Sequence, residues 1–206
     1  MKIPEATVLR LSIYSRYLKQ LWEKGVTNVS SGEIAEGVNG TSAQVRKDLA
    51  YFGEFGTRGV GYKVRILDKQ ITEILGINNE WEVVIVGAGN LGSALTHYKG
   101  FKERRFNIQA VFDNDENKIG SKINDVLVYS ITDMDNFIKE NDIQIGIVAV
   151  PATYAQGVVD ILIKAGIKSI LNFAPTVISV PEHVEHRSVD LVVNLEVLTY
   201  NLVNKK

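Results

Sequence analysis

Val83-Val84-Ile85-Val86 runs without a break into Gly87-Ala88-Gly89-Asn90-Leu91-Gly92, so a buried-strand pattern feeds directly into a GxGxxG loop. In that context each glycine has a mechanical task. Gly87 permits a tight turn off the strand, Gly89 lets the backbone approach a pyrophosphate, and Gly92 lets the next helix pack closely on the sheet. A helix opening near Asn90 would aim unpaired backbone N–H groups and a positive dipole end at phosphate. The loop therefore predicts a dinucleotide site.

Asp113 ends the next strand, 26 residues past Gly87. A carboxylate at that tip hydrogen-bonds the adenosine ribose hydroxyls and repels a 2′-phosphate, which selects NAD(H) over NADP(H). The alternative is that Asp113 supports the Asp113-Asn114-Asp115 turn. No arginine follows at once to receive a 2′-phosphate. Val150-Pro151-Ala152 and Asn172-Phe173-Ala174-Pro175 end two later strands, at the carboxyl edge where open α/β sheets bind ligands. They read either as a nicotinamide lining or as ordinary strand-end turns.

A dehydrogenase needs a proton donor and a substrate clamp beside the cofactor. Of the three histidines, His97 falls in the helix after the glycine loop, and His183 and His186 lie in a polar segment near the end. No Tyr-x-x-x-Lys pair forms, because Val158 stands four residues after Tyr154. Residues 81–206 also leave little room for a separate substrate domain. Binding without turnover is the expectation, and a small NAD-dependent oxidoreductase with an accessory helical domain is the competing class.

A second set of residues suits nucleic acid. Ser30-x-x-Glu33 and Thr41-x-x-Gln44 are capping-box patterns that open two short helices, joined by the tight turn Gly37-Val38-Asn39-Gly40. Helix, short turn and helix make a helix-turn-helix. In the helix from Ser42 to Phe52, Val45, Leu49 and Phe52 share one face, which leaves Ser42, Ala43, Arg46 and Lys47 outward. Such a helix in a major groove brings Arg46 and Lys47 to base edges or phosphates, without settling which of them reads bases. Ser31 is placed to touch phosphate. Gly53 to Lys63, followed by Val64, Arg65 and Ile66, suits a hairpin wing, with Arg58 at its tip for a narrow minor groove.

These residues must be positioned by two kinds of architecture, and the periodicity changes near residue 80. Before it, Val8, Leu11, Leu18, Leu21 and Trp22 share a helical face after Pro4, and a short helix spans Asp68 to Leu75. From Trp81 onward strands are predicted at Val83–Val86, Ile108–Phe112, Val126–Tyr129, Ile143–Val150 and Ser169–Phe173. Helices are predicted over Asn90–Phe101, Thr132–Glu140 and Tyr154–Ala165. That alternation implies a parallel sheet with helices on both faces. The domains are then 1–79 (winged helix), 80–189 (NAD(H)-binding, Rossmann-type) and 190–206. In the last, Asp190 caps a helix to about Val203 that is apolar nearly all round. Such a helix must be covered on several sides, either by its own sheet or by exchange into a partner subunit.

The 206 residues, 45% of them hydrophobic, suffice for these cores. No apolar run approaches the ~20 residues of a membrane span, no signal peptide is apparent, and cysteine is absent, so a soluble intracellular protein is expected. The net charge of −1 argues against generic polyanion binding. Residues 1–80 nevertheless carry 11 Lys and Arg against 9 Asp and Glu, whereas residues 81–206 carry 12 against 15. The asymmetry tilts the first part toward a polyanion.

Over essentially its whole length the chain resembles the Rex family of redox-sensing repressors. The resemblance lies in Ile3-Pro4-Glu5-Ala6-Thr7, Arg46-Lys47-Asp48-Leu49 with Tyr51-Phe52-Gly53, and Phe55-Gly56. In the second half it lies in the glycine loop, Leu171-Asn172-Phe173-Ala174-Pro175 and Val180-Pro181-Glu182-His183-Val184. It implies a homodimeric cytoplasmic bacterial repressor, not an enzyme, that grips double-stranded operator DNA when NAD+ is bound and leaves it when NADH is bound. It implies neither a membrane partner nor a protein substrate. It further implies that the helix Asp190–Val203 is exchanged between subunits near the partner's cofactor. Phe173, Pro175 and that helix would then discriminate the nicotinamide rings, with Tyr98 and Asp190 near the switch.

Overall fold

The computed structural model describes residues 3–57 and 59–204. The chain divides into two units, Met1–Asn79 and Glu80–Lys206. No helix among the described residues is long and apolar enough to cross a membrane.

The first unit runs α1 (Glu5–Glu23), β1 (Asn28–Val29), α2 (Ser31–Gly37), α3 (Ser42–Ala50), β2 (Tyr62–Lys63) and α4 (Val64–Ile74). Helix α2 opens on a complete capping box, in which Ser30 Oγ accepts the Glu33 N–H at 3.1 Å and Glu33 accepts the Ser30 N–H at 2.7 Å. That backbone bond holds the Glu33 carboxyl below its usual range. At α3 only half of the expected box forms. Thr41 Oγ1 accepts the Gln44 N–H at 3.2 Å, but the Gln44 side chain turns to Asp48 instead. The core gathers Leu11, Tyr14 and Leu18 of α1, Ile34 of α2, Val45 and Leu49 of α3, and Leu67 and Ile71 of α4.

Several boundaries here depart from the sequence expectation. On α1 the buried face is Thr7, Leu11, Tyr14, Ser15 and Leu18, while Val8 and Trp22 are exposed. Trp22 instead lies under the Arg65 guanidinium, 5.3 Å from the ring centre. Helix α3 stops at Ala50, leaving Phe52 only partly buried beyond its end. The expected wing strand at 64–66 is the first turn of α4. Tyr62, Val64 and Ile66 alternate as a strand would, but Val64, Leu67 and Ile71 form a helical stripe buried against α1. Tertiary packing decides between the two periods. Among the described residues of the wing, an isolated bridge joins Thr57 and Gly61, and β2 pairs antiparallel with β1.

The second unit continues with β3 (Trp81–Val86), α5 (Asn90–Thr96), α6 (Lys99–Glu103), β4 (Phe106–Asp113), β5 (Lys122–Ile123) and β6 (Val126–Ser130). A 3₁₀ turn at Ile131–Asp133 leads into α7 (Met134–Glu140). Then come β7 (Ile145–Val148), α8 (Ala152–Ala165), β8 (Ser169–Asn172), β9 (Glu185–Ser188) and α9 (Leu191–Asn204). The sheet order is β5-β6-β4-β3-β7-β8-β9, parallel throughout except for β5 against β6. Strand β3 is central and apolar on both sides. Val84 and Val86 face a core shared with α7 and α8, and Val83 and Ile85 face a second one. A strand covered on both faces reads as a continuous apolar run rather than an alternating one.

The expected helix Asn90–Phe101 is two helices, because α5 ends at Thr96 and the chain turns at His97 and Tyr98. Strands β5 and β9 were not anticipated. Strand β9 is Glu185-His186-Arg187-Ser188, exposed at every position, and such a polar edge resists pairing with another sheet. Helix α9 buries no residue. Asp190 Oδ1 accepts the Val192 and Val193 N–H groups at its start. Nine large apolar side chains, from Leu191 at 61% to Val203 at 83%, remain at least half exposed. The helix is thus not docked on its own sheet.

Candidate functional site

The sheet reverses direction of growth at β3, with β4 on one side and β7 on the other. The carboxyl ends of these three strands enclose a cleft of about 610 Å³, a volume suited to a small-molecule ligand. Gly87 and Gly89 follow β3, Asp113 ends β4, and Ala149, Val150 and Pro151 follow β7. The first turns of α8 add Thr153, Tyr154 and Gly157.

The glycine loop is built by close approach. Gly87 has φ +107, and a Cβ there would lie 2.4 Å from the Ala149 carbonyl oxygen. At Gly92 a Cβ would lie 1.8 Å from the Gly87 oxygen, so α5 can follow the turn only with glycine. Gly89 is different. Its φ of −78 suits any residue, and a Cβ there meets nothing within 4 Å. Gly89 lines the cleft, so the space beside it is room for a ligand's backbone-hugging group. Ala88 is buried, while Asn90 and Leu91 are exposed at the start of α5.

Asp113 is buried and already bonded. Its Oδ2 accepts the Ala88 N–H at 2.7 Å and its Oδ1 accepts the Asp115 N–H at 2.9 Å. It thus ties β4 to the glycine loop and supports its own turn at once. Oδ1 keeps a second lone pair for a ribose hydroxyl, while Oδ2 also faces the Lys118 ammonium. Lys118 lies 3.5 Å from both Asp113 and Asp115, a cation that sequence reading missed. The Asp115-x-x-Lys118 spacing was the available signal. Asn114, Ile131 and Ile161 also line the cleft and were not singled out. Adenosine, a pyrophosphate and a second nucleoside match this donor set: a carboxylate for ribose, a glycine-lined backbone and an apolar wall.

Of the expected cofactor residues, Gly87, Gly89, Asp113, Val150 and Pro151 line the cleft, whereas Ala88, Asn90, Leu91, Gly92, Phe173 and Tyr98 do not. Phe173 is half-buried beyond β8, packed in the core with Ile147 and Leu171. Tyr98 is 55% exposed at the α5–α6 break and stacks edge-on against Phe101, with ring centres 5.1 Å apart. It lines a separate groove with Phe106 and Val126.

On the first unit, α3 presents Arg46 and Lys47 to solvent, with Ser42 at its first turn. Arg46 Nη1 donates to Ser31 Oγ at 3.0 Å, which joins the two helices of the motif at their outer face. Ser31 and Arg46 are thus linked, Ser42 and Lys47 lie on the same helix as Arg46, and Arg58 lies outside the described residues. The underside is fixed by Asp48, which is fully buried. It accepts bonds from Arg10 Nε (2.6 Å) and Nη2 (2.8 Å), the Tyr14 hydroxyl (2.8 Å), Gln44 Nε2 (2.9 Å) and Thr7 Oγ1 (3.1 Å). Burial alone would push its carboxyl up. The bonds from Arg10, Tyr14, Gln44 and Thr7 outweigh that and hold it below the usual range. Burial, and then the bond to Asp48, pushes the Tyr14 phenol well up, and the bond to Asp48 raises Arg10. A carboxylate on the apolar face, three residues after Val45, was the signal for this network.

A helix-turn-helix with a basic outer face, followed by a sheet with a dinucleotide-sized cleft at its switch point, defines the class of ligand-responsive DNA-binding proteins. Comparison with known proteins narrows the class. Residues 2–50 match a family described as putative DNA-binding protein N-terminus, and residues 78–176 match one described as CoA binding domain. Coenzyme A and NAD share an adenosine carrying a pyrophosphate, so both call for the same loop. The chain is 64% identical over 201 residues to the redox-sensing transcriptional repressor Rex of Carboxydothermus hydrogenoformans, covering 98% of this chain and 97% of that one. It is 57% identical over 206 residues to the Rex of Desulforamulus reducens, covering 100% and 98%. Among solved structures, RSP in complex with beta-NAD+ and operator DNA superposes with a TM-score of 0.94 at 39% identity, covering 98% of this chain and 93% of that chain. RSP in complex with beta-NADH gives 0.89 at 38%, covering 98% and 95%. The chain belongs to the Rex family of redox-sensing transcriptional repressors.

Proposed function

We propose that this chain represses transcription as a homodimer that binds operator DNA and releases it when NADH fills the cleft, so that it reads the NADH/NAD+ ratio. The observation that carries the reading is its likeness, over nearly the whole chain, to a protein solved with both NAD+ and operator DNA. It acts as a regulator rather than an enzyme, as its relatives' names indicate, and works in the bacterial cytoplasm beside the chromosome.

In this reading Gly87, Ala88, Gly89, Asn90, Leu91 and Gly92 cradle the pyrophosphate, and Asp113 receives the ribose hydroxyls. Val150 and Pro151 form the wall beside the nicotinamide. When bound, the group supplies no bond-breaking here, only a ring that is neutral when reduced and cationic when oxidised. A cation resists desolvation, so an apolar surround favours NADH. Phe173 and Tyr98 contribute only once a partner's α9 completes the surround. That helix needs such a partner, because covering each of its large apolar side chains is worth about 1.5–3 kcal/mol.

Ser42, Arg46 and Lys47 meet the major groove, Ser31 touches phosphate, and Arg58 enters the minor groove. Paired readers grip DNA only at the spacing of two half-sites, roughly 34–36 Å. NADH can spoil that spacing only by binding the released dimer better, and a shift from 1:99 to 99:1 needs about 5.5 kcal/mol of difference. In the test, duplexes are selected from a random library on the NAD+-bound protein, and the selected duplex is then challenged with NADH. Release by NADH and retention with NAD+ are expected. A complex indifferent to both forms refutes the reading.

A further inference from the structure

The ribose end of the cleft carries more charge than a single carboxylate. Asp113 is committed to the loop through its bonds to the Ala88 and Asp115 N–H groups. Neutralising it would weaken the cradle for any dinucleotide, so its repulsion of a 2′-phosphate is tied to its structural role. Lys118 lines the cleft, and its ammonium is shared at 3.5 Å between Asp113 and Asp115. Asp115 is held independently of that lysine. Its Oδ1 accepts both the backbone and side-chain N–H of Asn117 at 3.0 Å, and its carbonyl accepts the Lys118 N–H at 2.9 Å.

We propose that Asp115, by engaging Lys118, is the positioning residue that keeps 2′-phosphorylated dinucleotides out of this cleft. The inference rests on the reading of the cleft as an NAD(H) site. Two carboxylates against one ammonium leave the ribose end with a net negative charge. A 2′-phosphate, carrying roughly two negative charges near neutrality, meets repulsion there. Lysine is itself a competent phosphate partner as a point charge. What disqualifies Lys118 is its double engagement. With Asp115 neutral, the local charge cancels and the ammonium has one carboxylate left, so it can turn to phosphate. A redox sensor gains from such a filter, because the NADPH pool would otherwise compete for the same cleft.

Calorimetric titration of the intact protein with NADH and with NADPH tests this in wild type, Asp115→Asn, and Asp115→Asn combined with Lys118→Gln. The asparagine keeps an oxygen for the Asn117 N–H, so the turn is retained. In Asp115→Asn the NADPH dissociation constant falls about tenfold, as expected for removing one charge several ångströms from a phosphate. The gain disappears in the double variant. NADPH binding no tighter in Asp115→Asn, a gain that survives loss of Lys118, or a wild type that takes NADPH as tightly as NADH each overturns the proposal. A wild type that takes up neither dinucleotide overturns the functional reading beneath it, a distinct result.

Discussion

Arg10 of α1 clamps Asp48 of α3 with two hydrogen bonds, Nε to Oδ2 at 2.6 Å and Nη2 to Oδ1 at 2.8 Å. The pair joins the first helix of the chain to the underside of the helix whose outer face carries Arg46 and Lys47. Because Asp48 is fully buried and Arg10 is not, the aspartate side dominates the energetics. Removing it would strand the Tyr14 hydroxyl as well.

Asp48→Ala should therefore destabilise the first unit by about 3–5 kcal/mol, the cost of breaking a buried ion pair on one side. Urea unfolding followed by Trp22 fluorescence, in a Trp81→Phe background, reports on that unit. DNA affinity should fall while NADH affinity holds, since the cleft lies wholly in the other unit. A wild-type midpoint would show that the clamp contributes little.

The same carboxyl predicts an acid limit. Its folded pKa is depressed, so its contribution is fully present above the unfolded value near ~3.9 and is lost as pH falls through the folded value. Acid should unfold the Trp22 unit with a proton uptake that is smaller in Asp48→Asn. An identical acid transition in both proteins would contradict the assignment.

Gly89 and Gly92 should part company when each becomes alanine. At Gly89 the added methyl meets no protein atom, so thermal stability should be nearly unchanged while dinucleotide binding weakens at least tenfold. At Gly92 it would strike the Gly87 carbonyl, so the fold itself should suffer. Melting curves paired with NADH titrations separate the two, and normal NADH binding by Gly89→Ala would refute the cradle.

Local patterns were the legible ones. Val83 to Gly92 could be read because a strand buried on both faces and a glycine turn are written in adjacent residues. Ser30 and Glu33 likewise cap one another over a single turn. Where partners are distant, sequence reading failed. Val64 looks like a strand residue until α1 packs on it, and Asp48 looks like a surface charge until Arg10 arrives from 38 residues away. β9 carries no apolar pattern at all, and Lys118 enters the cleft only because a turn folds it back over Asp113. Tyr98 and Phe173 lie outside the cleft of a single chain.

Arg46→Ala and Lys47→Ala should weaken DNA binding without altering NADH affinity. A side chain that reads a base should cost about 1–3 kcal/mol and relax preference at one position. One that meets phosphate should instead lower the salt dependence by roughly one ion. Binding to the selected duplex across a salt series assigns the two, and parallel loss of NADH binding would point to misfolding.

Helix α9 should decide assembly. Leu195→Asp with Leu198→Asp places two charges on an apolar helix that nothing covers within one chain. Light scattering should then find monomers, with the two-site DNA complex lost. A double variant that remains dimeric would place the interface elsewhere.

The central claim is tested most directly by fluorescence anisotropy of a labelled selected duplex, bound to the protein at fixed NAD+ while NADH is added. The account predicts a fall to the free-duplex value as the NADH/NAD+ ratio rises, and recovery when an NADH oxidase restores NAD+. An anisotropy that stays level, while calorimetry on the same sample shows NADH occupying the cleft, would contradict it.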